Sequence, residues 1–245
     1  DKWLDKAKKT LKSASLEDNP DAARILCYTN RCLENLVPHV RRAIHGDMAD
    51  QMPVLPGEVL ISRMAVMASA SRDGYEKGEE PDLVLGSNRE LVVIDVTPES
   101  CDLTHFGLID ESNWFVPVIE TLVAKVSVGE MVLNLRLLPA LGSNSRALLD
   151  ETLIRLRSQA KELGKKDGRL VWRKFFLIRD SFASLGPAAV LTVHRSQGSS
   201  FDEVFVASDV FWPKDLMLRK QLVYVAVTRA RDAVWMAGEK GNASE

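Results

Sequence analysis

Two stretches in the last quarter of the chain hold the residue types best suited to chemistry. One is Leu191-Thr192-Val193-His194-Arg195-Ser196-Gln197-Gly198-Ser199-Ser200-Phe201, and the other is Gln221-Leu222-Val223-Tyr224-Val225-Ala226-Val227-Thr228-Arg229-Ala230-Arg231. Each joins an apolar run to small and polar residues, with a His or an Arg at the junction. Such a pattern suits contact with phosphate oxygens, because backbone N–H groups need close approach and Arg can donate two parallel hydrogen bonds. Thr192 and His194 alternate with Leu191 and Val193, so an extended backbone would put them on one face. Gly198 permits a left-handed or closely approached turn at Gln197-Gly198-Ser199. Earlier in the chain, Thr29 and Asn30 close an apolar run, where Asn30 could cap a helix.

These residues need elements to hold them. Arg24 to Thr29 reads as a short buried strand, followed by a helix to about Ile44 that buries Leu33, Leu36, Val37, Val40 and Ile44. Pro38 inside that helix should kink or shorten it. A polar, Lys-rich N-terminal helix carries Trp3 before them. From Pro53 the texture changes to short strand-like runs at Val59–Met67, Leu83–Leu85, Leu91–Val96 and Met131–Leu137, with turn signals between them. This spacing suggests a small antiparallel barrel, with a hairpin turn at Gly86–Glu90. Leu149 to Leu163 is an amphipathic helix, stopped by Gly164 and a turn at Lys165–Gly168. A second helix spans Leu170–Phe182. Strands then recur at Ala189–Val193, Val204–Ala207 and Val234–Ala237, with a helix over Leu216–Arg231. The fold class is therefore α/β, with β-α units bracketing a β-rich insertion. The boundaries read as 1–52 and 170–245 for the α/β part and 53–169 for the insertion.

Composition constrains the partners. The chain has 245 residues, 46% of them hydrophobic, which is enough for a real core. Its 32 basic and 34 acidic residues nearly balance, so contact with nucleic acid must be a local groove. Cys27, Cys32 and Cys101 lack Cys-x-x-Cys spacing, no metal ligands are assigned, and a reduced, cytoplasmic setting is expected. No apolar run approaches the ~18 residues of a membrane span.

The two stretches resemble motifs V and VI of superfamily 1 DNA helicases, in the spelling of the RecD/Dda-like branch with its UvrD-type C-terminal domain. The resemblance is strong from Trp172 to Ala237 and fair from Arg24 to Ile44. Between them it rests mainly on β texture. It implies a RecA-like parallel sheet flanked by helices and interrupted by an SH3-like barrel. The phosphate loop Gly-x-x-x-x-Gly-Lys-Ser/Thr is not found: Gly164-Lys165 is followed by Lys166, and the residue five before Gly164 is Gln159. The chain therefore looks like the C-terminal half of an ATP-dependent 5′→3′ DNA helicase, or of the helicase subunit of an exonuclease. ATP and Mg2+ would be held mainly by an N-terminal RecA-like domain, and this half alone is expected to be inactive. Single-stranded DNA, that N-terminal domain and nuclease or repair subunits are the implied partners.

Residue by residue, the resemblance makes Arg229 the arginine finger that stabilises charge on the transferring phosphoryl group. The plainer alternative is a helix Arg paired with an acid. Arg231, two residues on, points to another side of the helix and reads as structural. Gln197, Gly198 and Ser199 would face the nucleotide phosphates, or form an ordinary strand-to-helix turn. Thr192, His194 and Arg195 would meet the DNA backbone, as would Thr29 and Asn30. The aromatic set Trp172, Phe175 and Phe176 reads as core rather than a base-stacking platform, and Lys165, Lys166 and Lys174 as a solvated face. Two other functions stay open: an ATPase-inactive module that binds nucleic acid or protein, and an RNA helicase of the same superfamily.

Overall fold

All five residues of the first strand, Ala23–Cys27, are buried, as a strand must be when both faces of its sheet are covered. The computed structural model describes residues 2–68, 82–106 and 118–238. Its elements run α1 (Lys2–Ala14), β1 (Ala23–Cys27), α2 (Asn30–His45), α3 (Met48–Gln51), β2 (Val59–Ser62), β3 (Val66–Met67), β4 (Leu83–Leu85) and β5 (Glu90–Asp102). They continue through β6 (Val118–Val128), β7 (Met131–Arg136), α4 (Asn144–Glu162), α5 (Gly164–Ser181), β8 (Leu185–Pro187) and β9 (Val190–Thr192). The last are β10 (Phe201–Val206), α6 (Leu216–Val227) and β11 (Ala230–Met236). Two compact units result: residues 1–60 with 187–245, and residues 61–186.

The first unit is built on a four-stranded sheet in the order β11-β10-β1-β9, with every pairing parallel. Ile25 sits between Phe205 and Val190 in register. Ala7 and Leu11 of α1 and Leu33 and Val40 of α2 join these strands in one apolar cluster. Trp3 packs on that cluster, edge-on to Phe205 at 6.3 Å, and donates its indole N–H to the Trp235 carbonyl at 2.9 Å. Pro38 does not shorten α2, which runs on to His45 and ends at Gly46. The first turn of α2 is capped by Thr29, whose hydroxyl accepts from the Cys32 N–H, and not by Asn30, which is already helical.

The second unit carries the antiparallel strands. Among the described residues they form a five-stranded sheet, β7-β6-β5-β2-β8, and a separate pair, β3-β4. β5 and β6 pair antiparallel over their length, and β6 pairs likewise with β7. Strand β6, not expected from the sequence, lies between β5 and β7 and pairs with both. Gly86–Glu90 does not close a hairpin, because β4 and β5 belong to different sheets. The turn expected at Lys165–Gly168 is instead the start of α5, which begins directly at Gly164. Gly168 looked like a turn glycine; its real constraint is packing. A Cβ there would lie 2.3 Å from the Ala160 carbonyl oxygen, so only glycine lets α4 and α5 approach so closely.

The units divide the chain at 60/61 and 186/187, against 52/53 and 169/170 read from texture. Leu177 and Ile178 of α5 share a core with Cys101, Ile119 and Leu149, which places that helix in the second unit. Residues after Pro53 stay with the first unit, because the buried Glu58 carboxylate is held by Arg41 at 2.7 and 3.0 Å. Among the described residues, no helix is long and apolar enough to cross a membrane.

Candidate functional site

Four parallel strands give the first unit's sheet two chemically distinct ends, and the candidate residues divide between them. The carboxyl ends of β1 and β9 lie side by side, with Cys27 in register with Thr192. Thr29 and Asn30 follow β1 directly, and His194 follows β9. Ligands of open α/β sheets gather at this end of the strands. The turn here is organised by a residue that sequence reasoning missed. Asp209, fully buried in a 3-10 turn after β10, accepts hydrogen bonds from the Tyr28 N–H at 3.0 Å, the Thr29 N–H at 2.8 Å and the Thr29 hydroxyl at 2.9 Å. An acid just past the buried run Val204–Ala207 was the available signal, but it is equally the signature of an ordinary turn.

Thr192 and His194 do not share an exposed strand face. β9 ends at Thr192, and residues 193–198 form a turn in which the Arg195 and Ser196 N–H groups donate to the Thr192 carbonyl. Thr192 is 7% exposed, whereas His194 is exposed and its ring lies 6.1 Å from that of Tyr28. His194 with its neighbour Tyr28, and Asn30 on the outside of α2, are thus the accessible groups at this end. Arg195 is half-buried within the turn. Just behind Thr29, the thiol of Cys27 lies 3.4 Å from the Leu191 carbonyl oxygen, and its hydrogen bond with Cys32 together with burial pushes its pKa up.

The second group leads away from that end, along the same turn, to where β10 and β11 begin. Gln197, Gly198 and Ser199 are exposed, and Gly198 adopts φ +86°, the left-handed conformation expected of it. The turn leads into strand β10, so it is not a strand-to-helix turn. Arg229 is joined to it across the sequence: its Nη1 donates to the Ser199 carbonyl at 3.0 Å, and its backbone carbonyl accepts from the Phe201 N–H at 2.7 Å. Its remaining side-chain bonds go to the Val225 carbonyl at 3.2 Å and the Thr228 hydroxyl at 3.2 Å. Helix α6 ends at Val227, so Arg229 stands between a helix end and a strand start.

Arg231 makes the contrast. It lies on β11 and not on the helix, and its guanidinium bonds Asp21 at 2.8 Å and Asp202 at 3.2 Å. Those two carboxylates raise its pKa. The partners of Arg229 are neutral oxygens, so its charge remains available to an anion, while that of Arg231 is already matched. A fixed cation beside an exposed glycine turn suits contact with phosphate oxygens: the guanidinium supplies charge and Gly198, lacking a Cβ, lets an anion come close to the backbone.

Residues 187–237 match the UvrD-like helicase C-terminal domain. Over 212 residues the chain is 22% identical to the ATP-dependent DNA helicase dda of Enterobacteria phage T4, a match covering 85% of this chain and 45% of that protein. The chain therefore spans a little under half the length of the curated relative it matches.

Proposed function

We propose that this chain, whose residues 187–237 match the UvrD-like helicase C-terminal domain, is the C-terminal half of a superfamily 1, ATP-dependent DNA helicase moving 5′→3′ on single-stranded DNA. The first unit is then a RecA-like motor domain, and the second an inserted β domain of the SH3-like type. Arg229 serves as the arginine finger. ATP hydrolysis between two domains needs a cation on the wall facing the nucleotide, because negative charge on the phosphoryl oxygens must be stabilised as the bond to the leaving group breaks. Beside it the Gln197 side-chain amide offers a donor, and Gly198 and Ser199 shape the turn that faces the phosphates. Mg2+ and the phosphate loop belong to the other half of the motor.

What supports this reading is the placement of the candidate residues along the sheet. Arg229 and the Ser199 carbonyl it binds lie just before β11 and β10, while Thr29, Asn30, Thr192 and His194 lie at the carboxyl ends of β1 and β9, with the Gly198 turn running between them. Nucleotide and DNA contacts carried by one rigid sheet let a change at the phosphates reach the DNA track as a displacement of the whole unit. His194 donates to backbone phosphates, Arg195 adds charge, and Thr29, held by Asp209, sets the position of the α2 N-terminus.

The test is turnover by the full-length protein. Arg229→Ala should lower DNA-stimulated ATP hydrolysis by roughly 10³-fold, chiefly in kcat, since the finger acts on charge that develops in the transition state. Arg229→Lys should rescue poorly because ammonium lacks the planar fork, and Arg231→Ala should have a much smaller effect. Near-normal turnover by Arg229→Ala would overturn the proposal and leave a binding module as the better account. Turnover stimulated by RNA and not by DNA would move the protein to the RNA helicases.

A further inference from the structure

We infer that helix α5 of the second unit carries a separate binding surface for single-stranded nucleic acid, formed by Lys165, Arg169, Trp172, Arg173, Phe176 and Arg179. This deepens the reading above, since it gives the proposed motor a nucleic-acid contact outside the parallel sheet. These six residues recur at spacings of three and four, so they share one side of the helix. The opposite side carries Leu177 and Ile178, which are buried in the unit's core, with Val171 and Phe175 packed against it. An aromatic stripe was expected to be core. Phe175 fits that expectation, but Trp172 and Phe176 do not. Phe176 is 44% exposed, and Trp172, Arg173 and Arg179 are half-buried beside the exposed Lys165 and Arg169.

The rings are already arranged as a stack. Trp172 and Phe176 lie 5.8 Å apart with 25° between their planes, and the Arg179 guanidinium covers Phe176 at 4.8 Å. A base would take the place of the Arg179 guanidinium on the Phe176 ring, a stacking contact that every base can make whatever the sequence, with the backbone held by the charges. Charge points the same way: Arg179 is matched by Asp180 at 2.5 and 2.9 Å, while Lys165 and Arg169 stand exposed on the same side. Lys165 to Arg179 spans about 21 Å at the helical rise, room for about six nucleotides at B-form spacing. A polyanion with flat bases matches both features, the cations and the rings.

The experiment uses the full-length protein and a fluorescent thymidine 30-mer. Phe176→Leu keeps an apolar side chain of similar size and removes the ring; it should weaken binding about 5-fold or more, the low end for loss of one stacked base. Phe176→Tyr should restore it. Lys165→Gln with Arg169→Gln should lower the slope of log affinity against log salt by about 0.7 for each phosphate no longer neutralised. A strand containing 5-iododeoxyuridine should crosslink to Trp172 or Phe176 on irradiation, read by mass spectrometry of the peptides. A folded Phe176→Leu protein with unchanged affinity, or crosslinks that avoid α5, would overturn the inference. So would loss of a protein partner with oligonucleotide affinity intact. Failure here leaves Arg229 turnover untouched, and normal turnover by Arg229→Ala leaves oligonucleotide binding by α5 standing, so the two proposals fail separately.

Discussion

Asp209 and Thr29 are 180 residues apart, yet the Asp209 carboxylate accepts both the backbone N–H and the hydroxyl of Thr29, at 2.8 and 2.9 Å. The Thr29 hydroxyl in turn accepts from the Cys32 N–H at 3.1 Å. One carboxylate thereby fixes the entry of α2 and the two residues proposed to meet DNA. Asp209→Asn replaces an acceptor oxygen with an NH2 group facing backbone donors, so at least one buried N–H loses its partner. The expected cost is about 1–3 kcal/mol, measurable by urea unfolding. Thr29→Val in the Asp209→Asn background should then cost less than it does alone, because the two groups share one network. Strict additivity would contradict that coupling.

Exposure separates the two residues of the proposed DNA track after β9. His194 is exposed, so His194→Ala should weaken single-strand binding by the full-length protein about equally across sequences, without loss of stability. Thr192 is 7% exposed, so Thr192→Ala should act mainly through packing and lower the unfolding midpoint. Equal stability for both variants, or a sequence-dependent loss with His194→Ala, would count against this assignment.

Acid should weaken the second unit through Glu99. Its hydrogen bonds from Arg136, at 2.5 and 2.8 Å, hold its pKa below the ordinary 4.5. A carboxylate depressed in the folded state contributes stability that is fully present above its unfolded pKa and is lost as pH falls through the folded one. Unfolding free energy should therefore drop with decreasing pH below about 4.5. Glu99→Gln should flatten that acid limb and be less stable at neutral pH. An identical pH profile in the variant would rule the pair out as the cause.

Close helix approach predicts the cost of a single methyl group. Gly168→Ala sets a Cβ 2.3 Å from the backbone oxygen of Ala160, which α4 and α5 relieve only by moving apart. A loss of about 1–3 kcal/mol is expected from overpacking. Gly86→Ala, whose nearest neighbour would be the Arg89 side chain at an ordinary 3.9 Å, is the control and should be nearly neutral. Comparable denaturant midpoints for the two variants would refute the packing account.

Local patterns were legible wherever a residue's environment is set by its neighbours in sequence. The buried run Ala23–Cys27, the amphipathic periodicity of α2 and α4, the strand at Leu83–Leu85 and the left-handed turn at Gly198 follow from side-chain alternation, helical spacing and the missing Cβ. The stretches around Gln197 and Arg229 could likewise be singled out from order and spacing alone. What required the tertiary structure was every relationship made between distant segments. Arg229 and Arg231 carry the same charge two residues apart, and only the positions of Asp21, Asp202 and Ser199 make one matched and the other available. Gly168 looks like a turn residue until Ala160 is placed against it, and Phe176 like core until α5 is seen to bury its other side. In sequence Asp209 reads only as an acid after a buried run, because a carboxylate's role depends on which donors reach it, and those arrive from the other end of the chain.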